Sequence, residues 1–247
     1  MKLRTVGSIQ VDLVNDWSSM PYLTFDIDWA HDDVLSDCID IVENYRVAAT
    51  WFATHDTELM SRFRSNMSFE IGIHPNFNKL LSGNDGAGRD AAEVVDRIMS
   101  IIPEAKCVRS HSTTNSSFLR EIFVNRSLTH ECNTFIPAQS NISLKPYRLW
   151  SDLVSVPYSW EDDVHILYES IGVPQKSPRD IAMDTSDRGL KVFDFHPIHV
   201  FLNTESLERY ERTRHLHQNP KELKKHRYQS IGTRSRFIEL LDLCGQS

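Results

Sequence analysis

The sequence has no long apolar run, no cluster of cysteines and no excess of positive charge. None of its 247 residues belongs to a stretch approaching the roughly 18 apolar residues of a membrane span. The N-terminus lacks an apolar core of signal-peptide length. With only nine glycines and ten prolines, collagen-like and low-complexity compositions are excluded. We therefore expect a globular protein without a transmembrane segment, most simply in the cytoplasm.

The four cysteines are widely spaced and form no CxxC pair or other spacing typical of metal sites. They are Cys38, Cys107, Cys132 and Cys244. Free cysteine is among the most buried residue types. The sequence therefore predicts buried free thiols instead of disulfides.

Acidic residues outnumber basic ones, with 34 Asp and Glu against 27 Lys and Arg and a net charge of −7. This balance argues against general nucleic-acid binding. The basic residues are concentrated near the C-terminus, where residues 205–236 carry nine Lys and Arg against four Glu. Such a segment is either a solvated helix face or a rim that attracts a phosphorylated or acidic substrate.

Apolar runs with strand-like patterns alternate along the chain with segments of helical spacing. The predicted strands are Tyr22–Ile27, Ala49–Thr54, Phe69–His74, Cys107–Arg109, Glu131–Phe135 and Val192–His196. The predicted helices cover 34–45, Thr57–Arg64, 91–102, Asn115–Val124 and Ser235–Cys244, and residues 75–89 form a loop with three glycines. This order implies a single α/β domain over residues 1–247, with a mainly parallel sheet covered by helices.

Chemically reactive side chains stand where several of these strands end. Asp26 and Asp28 follow the first strand, and His74, Arg109 and His196 end three others. If the first strand continues through both acids, its alternation puts the two carboxylates on one face. The neighbouring Asp32 and Asp33 are better interpreted as helix caps.

Five sequence blocks, TFDID, ATWFAT, EIGIHPNFN, VRSHS and DFHPIHVFLN, resemble in the same order those of the polysaccharide deacetylases, carbohydrate esterase family 4, which contain the NodB-homology domain. The resemblance covers residues 22–203 and leaves a basic extension with a closing helix over 204–247. It implies a distorted (β/α) barrel in which a divalent metal ion, usually zinc, assists removal of an acetyl group from an N-acetyl sugar.

The resemblance also implies a role for each strand-end residue. Asp26 matches the general base, Asp28 and His74 match metal ligands, Arg109 matches the arginine that holds the base, and His196 matches the general acid. These types suit amide hydrolysis, which needs a polarised carbonyl, an activated water and a protonated leaving amine. The carboxylate that supports His196 stays open, with four candidates: Asp152, Asp162, Asp163 and Asp194.

The sequence departs from the family pattern at Asn78, where a second metal-binding histidine is usual. Either Asn78 completes a weaker site, with a shifted metal preference, or another residue such as His111 compensates. A backbone N–H near Ser112 is a candidate oxyanion donor. Trp160 is either part of a hydrophobic patch beside the acetyl group or a core tryptophan.

The remaining histidines have no comparable spacing. His199 is assigned a structural or supporting role. The others are interpreted as surface residues: His31, His55, His130, His215, His217 and His226.

Three functions fit this reading. The first is an N-deacetylase acting on a sugar of bacterial O-antigen or capsule biosynthesis, which could be nucleotide-linked or lipid-linked. The second is removal of a formyl or other small acyl group, and the third is an inactive sugar- or nucleotide-sugar-binding module that lost its metal. The sequence leaves the sugar and the oligomeric state open.

Overall fold

The fold is built around a mainly parallel sheet whose central strands are almost wholly buried. The computed structural model describes residues 3–18, 20–83 and 90–245. Within these ranges there are nine strands, β1 Pro21–Asp26, β2 Ala49–Ala53, β3 Phe69–Ile73, β4 Cys107–Val108, β5 His130–Glu131, β6 Tyr147–Arg148, β7 Val154–Ser155, β8 Trp160–Glu161 and β9 Lys191–Phe195. Their order in the sheet is β6-β7-β5-β4-β3-β2-β1-β9-β8. All neighbouring pairs are parallel except β6 and β7.

One extended segment joins the two sides of this sheet. It begins with β7, which pairs with β5, and ends with β8, which pairs with β9. Between them, Tyr158 forms a parallel bridge with Phe135, just beyond β5. The sheet is therefore curled into a distorted (β/α) barrel, as the sequence predicted.

Twelve helices lie among the described residues, mostly between consecutive strands. They are α1 Val14–Trp17, α2 Asp32–Tyr45, α3 Met60–Ser65, α4 Asn78–Leu81, α5 Ala91–Ile101, α6 Ser117–Asn125, α7 Asp162–Ser170, α8 Pro178–Met183, α9 Pro197–Leu202, α10 Leu207–Thr213, α11 Pro220–Leu223 and α12 Thr233–Cys244. None of the helices in the described segments has the length and hydrophobicity needed to cross a lipid bilayer.

Aromatic side chains fill the space between the central strands and the outer helices. Phe25 on β1 stacks on Trp51 of β2 with ring centroids 4.0 Å apart, and Phe237 of α12 meets Phe25 edge-on at 5.6 Å. Burial of such rings supplies a large part of the hydrophobic stabilisation of a domain. The closing helix is thus part of the main core.

The N-terminal segment packs against the starts of the strands, opposite to the reactive strand ends. The backbone N–H of Val6 donates to Thr50 at 2.9 Å, and that of Gly7 donates to Glu70 at 3.0 Å. A Cβ atom on Gly7 would meet the Glu70 carboxylate at 2.0 Å. A larger residue at this position would displace the Glu70 carboxylate from its contacts with Gly7 and Thr50.

Most predicted elements are present, with three corrections. The strand predicted over Glu131–Phe135 is limited to β5, because the chain beyond it makes only an isolated bridge. The loop predicted over 75–89 contains the short helix α4, and its residues 84–89 lie outside the described residues. The cap of α2 is His31, whose ring nitrogen accepts from the N–H of Asp33, so Asp32 and Asp33 are first-turn acids instead of caps.

Of two predictions about side-chain burial, one is confirmed and one is wrong. All four cysteines lie in described segments and are buried free thiols, which confirms that prediction. His130, predicted at the surface, is buried, and its Nε2 lies 2.9 Å from the carbonyl oxygen of Ile9. The N-terminal segment covers it, and that long-range contact has no sequence signal.

Candidate active site

The strand-end residues meet at the carboxyl edge of the sheet. Asp26 is the last residue of β1, His74 follows β3, Arg109 follows β4 and His196 follows β9. Because these strands are parallel, their carboxyl ends open onto the same side. The topology thus explains why residues up to 170 positions apart can share one site.

Asp28 reaches the site by a turn and not by strand alternation. The strand ends at Asp26, and Asp28 and Trp29 have left-handed backbones with φ of 38° and 53°. The prediction that a continuous strand aligns the carboxylates of Asp26 and Asp28 was therefore wrong, because the strand does not extend to Asp28. The turn nevertheless brings Asp28 beside His74, with Oδ1 3.3 Å from Nε2.

Three potential ligand atoms form a nearly equilateral triangle. Asp28 Oδ1 lies 3.3 Å from His74 Nε2 and 3.3 Å from His111 Nδ1, and the two ring nitrogens are 3.2 Å apart. Zinc bound to nitrogen and oxygen at roughly 2.0–2.1 Å has tetrahedral ligands about 3.3 Å from one another. The triangle therefore has the size of one face of such a tetrahedron.

An unsatisfied polar atom at the triangle supports the same fit. Asp28 Oδ1 is buried and has no donor with hydrogen-bond alignment. Buried polar atoms without partners are costly unless an ion or water satisfies them. Burial raises the pKa of Asp28, but the adjacent His111 and His74 rings and the charge of His196 hold it well below its usual value. The set is thus anionic oxygen plus two imidazoles, which suits zinc or a similar divalent ion.

Arg109 holds Asp26 from behind the triangle. Its Nη1 donates to Asp26 Oδ1 at 3.0 Å and also contacts Asp194. The guanidinium lies between the rings of Phe52 and Tyr158, with its carbon 4.6 and 4.4 Å from their centroids. This fully buried cation fixes the Asp26 carboxylate, whose Oδ2 lies 3.6 Å from His74 Nδ1.

Asp162 is the carboxylate that supports His196. Its Oδ1 lies 2.6 Å from His196 Nδ1, while Nε2 of the same ring faces Asp28 Oδ2 at 3.7 Å. Burial lowers the pKa of His196, but the charges of Asp163 and Asp162 outweigh it and raise the pKa well above its usual value. Of the four candidates, Asp194 instead contacts Arg109. The ring therefore turns Nε2 towards the site while Asp162 holds Nδ1.

A second histidine–carboxylate pair lies beside the first. His199 Nε2 is 2.5 Å from Asp163 Oδ1, and its Nδ1 is 3.0 Å from Thr204. Its ring packs on Tyr210 at 4.8 Å, and Tyr210 in turn contacts His217 at 4.9 Å. His199 thus links the site to the C-terminal segment, consistent with its supporting role.

The loop that carries His111 is tied down from both sides. The backbone N–H of Ser110 donates to Asn133 Oδ1 at 2.6 Å, and Asn133 Nδ2 donates to Glu131 at 3.1 Å. On the other side, Asn78 donates to Ser112 Oγ at 3.1 Å. Asn78 is exposed, and its amide group contacts the loop that supplies His111. Ser112 is itself exposed and left-handed, with φ of 56°.

Trp160 lies in the core. Only 4% of its surface is exposed, its ring packs on Phe195 at 4.8 Å, and its Nε1 donates to His165 at 3.3 Å. Of its two sequence interpretations, the geometry favours the core tryptophan. It supports β9, the strand that precedes His196.

The basic C-terminal segment is mostly paired with acids. Six of its nine Lys and Arg side chains form ion pairs within the described residues: Arg209 with Glu205, Arg214 with Glu211, Lys225 with Glu222, Arg227 and Arg234 with Asp37, and Arg236 with Glu169. The pairs of Arg214 and Lys225 are exposed, and the other four are half-buried. The segment therefore does not have the character of an open anion-binding rim.

Comparison with known proteins agrees with this geometry. The family model described as WbmS-like polysaccharide deacetylase matches residues 23–214. A crystal structure of a Bordetella bronchiseptica protein assigned as a polysaccharide deacetylase involved in O-antigen biosynthesis is 42% identical, covers 98% of each chain and superposes with a TM-score of 0.91. The chain belongs to the WbmS-like polysaccharide deacetylase family. It is accordingly a hydrolase of the sugar-deacetylase type.

Two more distant polysaccharide deacetylase structures match weakly. The Mycobacterium smegmatis protein is 15% identical over 72% of this chain and 76% of its own, with a TM-score of 0.45. The Bacillus cereus protein Bc1974 is 13% identical over 86% of this chain and 96% of its own, with a TM-score of 0.42. No curated protein matches the sequence significantly.

The sequence of this WbmS-like deacetylase did not reveal the residues that position the site residues. Asn133 and Glu131 support the His111 loop, and Thr24 donates to Asp194 at 2.7 Å while accepting from Arg109 at 3.0 Å. Thr24 precedes Asp26 by two residues, so strand alternation could have placed it beside the site. The other two carry no local signal.

Proposed function

We propose that the protein is a metal-dependent hydrolase that removes an N-acetyl group from a sugar during O-antigen or capsule biosynthesis. One observation carries this proposal: a fixed carboxylate, a set of three metal-type ligands and an imidazole paired with a buried carboxylate surround one point. Asp26, the Asp28–His74–His111 triangle and His196 are these groups. Together they supply the base, ion and acid that amide hydrolysis requires.

In this proposal Asp28, His74 and His111 hold the ion, and zinc is the expected metal. A bound divalent ion polarises a carbonyl and makes water more acidic. Asn78 braces the loop through Ser112 and is not needed as a ligand. The site then has two imidazoles and one carboxylate, a donor set common in catalytic zinc sites.

Two side chains move the protons. Asp26 accepts a proton from the attacking water, and Arg109 orients the carboxylate for that task through its hydrogen bond. His196 then donates the proton on Nε2 to the departing amine, while Asp162 stabilises the imidazolium through Nδ1. Both side chains are buried, which strengthens their electrostatic interactions.

The sugar pathway is proposed from the Bordetella relative, which is assigned to O-antigen biosynthesis. A substrate for such a protein is an N-acetylated sugar of a surface glycan that is assembled in the cytoplasm or at its membrane face. Activity should therefore be tested on N-acetylated sugars of this kind.

The decisive experiment combines metal analysis with acetate release. Protein purified without chelator should contain close to one equivalent of divalent metal and release acetate from N-acetylated saccharides after zinc or cobalt is added. Asp26→Asn and His196→Ala should abolish release without changing the melting temperature greatly. Metal-free protein that binds saccharides but releases no acetate under any metal would reject the proposal in favour of a binding module.

A further inference from the structure

Trp29 is an exposed tryptophan held in an unfavourable backbone conformation. It directly follows the ligand Asp28, its side chain is 43% exposed, and its φ is 53°. Left-handed backbone is rare for bulky residues and is found where the surrounding structure enforces it, often at functional sites. An exposed indole gains little from packing, so packing does not explain why tryptophan occupies this turn.

The turn is fixed by contacts on both sides of the residue. The N–H of Trp29 donates to Thr54 Oγ1 at 3.1 Å, and its carbonyl oxygen accepts from Gln218 Nε2 at 3.2 Å. The indole ring stands edge-on to His111, with ring centroids 5.3 Å apart and an interplanar angle of 75°. The ring is therefore positioned next to the proposed metal triangle.

Trp29 also lines two cavities, each large enough for a sugar unit. The first, which we call the α5 cavity, has a volume of about 540 Å³, and its lining includes Trp29, His74, Val94 and Ile98. The second, the α2 cavity, has a volume of about 490 Å³, and its lining includes Trp29, Asp32, Glu58 and Gln218. Trp29 is thus common to both cavities, together with His55 and Asp56.

The chemistry of the α2 cavity fits a saccharide better than a nucleotide. Three carboxylates, on Asp32, Asp56 and Glu58, line this cavity and would repel a diphosphate, whereas they accept hydrogen bonds from sugar hydroxyl groups. The α5 cavity combines the cationic side chains of Lys79 and Arg97 with an apolar wall from α5, which suits the C–H faces of a ring or an acetyl methyl group. An aromatic residue shared by two such cavities can pack on the apolar face of a pyranose.

We propose that Trp29 is a stacking platform for a pyranose ring adjacent to the sugar that is deacetylated, and that the substrate is consequently an oligosaccharide with units on both sides of Trp29. This inference rests on the proposed function for the identity of the reacting sugar. It adds a residue, Trp29, that holds the neighbouring sugar and thereby makes the protein prefer a glycan of at least two sugars.

Binding measurements can test the platform separately from catalysis. All variants are made in an Asp26→Asn background so that no turnover occurs, and calorimetry compares N-acetylglucosamine with its β-1,4-linked trimer. Trp29→Gly removes the ring and suits the left-handed backbone, Trp29→Phe keeps an aromatic face, and Trp150→Ala is a control at another tryptophan, 68% exposed. The melting temperature of Trp29→Gly should equal or exceed that of the parent.

We expect the trimer to bind the parent roughly tenfold or more tightly than the monosaccharide, in line with the contribution of an aromatic contact. Trp150→Ala and Trp29→Phe should keep this advantage within about threefold, and Trp29→Gly should lose it. A trimer that binds the parent no better than the monosaccharide overturns the inference. So does a Trp29→Gly variant that retains the advantage.

Acetate release by protein with Asp26 intact distinguishes this failure from failure of the proposed function. Loss of trimer binding in Trp29→Gly, without acetate release from any N-acetylated saccharide, supports the platform and rejects deacetylation. Acetate release that is equally efficient for monosaccharide and trimer, in wild type and Trp29→Gly alike, supports deacetylation and rejects the platform.

Discussion

Asp162 binds His196 with both oxygens of its carboxylate. Oδ1 lies 2.6 Å from His196 Nδ1, and Oδ2 accepts from the His196 backbone N–H at 2.8 Å. Such a double contact fixes the ring and its tautomer, because Nδ1 must carry the proton that Oδ1 accepts. The remaining nitrogen, Nε2, is then the one that faces Asp28 and the reacting groups.

Replacing the Asp162 carboxylate should lower the pH above which the protein loses activity. The pKa of His196 is raised by the charges of Asp163 and Asp162, so the acid form persists to higher pH than in a free histidine. Asp162→Asn removes one charge, lowers the pKa of His196 and shifts the alkaline limb of kcat/KM to lower pH, with a loss of about 10²-fold near the optimum. Full pH–rate profiles with a saturating divalent metal measure this change.

The exposed Asp152, another candidate from the sequence, provides the control. Asn tolerates its left-handed backbone, φ 62°, so Asp152→Asn should leave the profile unchanged. If the alkaline limb of Asp162→Asn coincides with that of wild type, Asp162 does not tune the acid.

The two candidates for the third metal ligand should differ sharply when removed. His111 Nδ1 is part of the triangle, whereas the Asn78 amide contacts Ser112. We expect His111→Ala to weaken zinc binding by roughly 100-fold or more, and Asn78→Ala by less than about tenfold, since the latter only loosens the loop. Competition with a chromophoric chelator gives both affinities. A larger loss for Asn78→Ala than for His111→Ala would instead identify the amide as the ligand.

Asn133 should affect metal binding without contacting the ion. It accepts from Ser110, one residue before His111, and donates to the buried Glu131. Asn133→Ala removes the acceptor of the buried Ser110 N–H and one donor to Glu131, which keeps its contact with Arg120. It should lower the free energy of unfolding by about 1–3 kcal/mol. It should also weaken zinc binding by about 10- to 100-fold, the usual effect of outer-shell residues.

A core variant of similar stability separates these two effects. Val42→Ala, in the buried face of α2, should lower the unfolding free energy by a comparable amount without changing zinc affinity. If both variants bind zinc equally well, the loop does not depend on Asn133 for its position.

The sequence was informative where local pattern and burial coincide. The central strands β1, β2, β3 and β9 are five or six residues long and almost wholly buried, so their apolar runs predict them well. Strands β4 to β8 have two residues each and offer no periodicity. The parallel order then explains why Asp26, His74, Arg109 and His196 meet, since each ends or follows a strand.

The turns that complete the site had no such pattern. Asp28, Trp29, Ser112 and Thr113 all have left-handed backbones although none is glycine. These conformations are imposed by tertiary contacts, such as the bond from Trp29 to Thr54. Sequence alone therefore identified the ligand types but left open whether His111 or Asn78 joins Asp28 and His74.

The four thiols should be unreactive in the folded protein. Burial and the nearby Glu70 raise the pKa of Cys107 well above its usual value, and burial raises the pKa of Cys132 to about 12 and that of Cys244 to about 11. Because the thiolate is the nucleophile, labelling with a chromogenic disulfide at pH 8 should be at least about 100-fold slower than for a free thiol. All four should react at once in denaturant. In the native protein, Cys244 should react before the other three thiols, because it is the last residue of α12 and helix ends fray. Rapid labelling of Cys107 or Cys132 in native protein would mean that the sheet opens locally and that the N-terminal segment does not seal it.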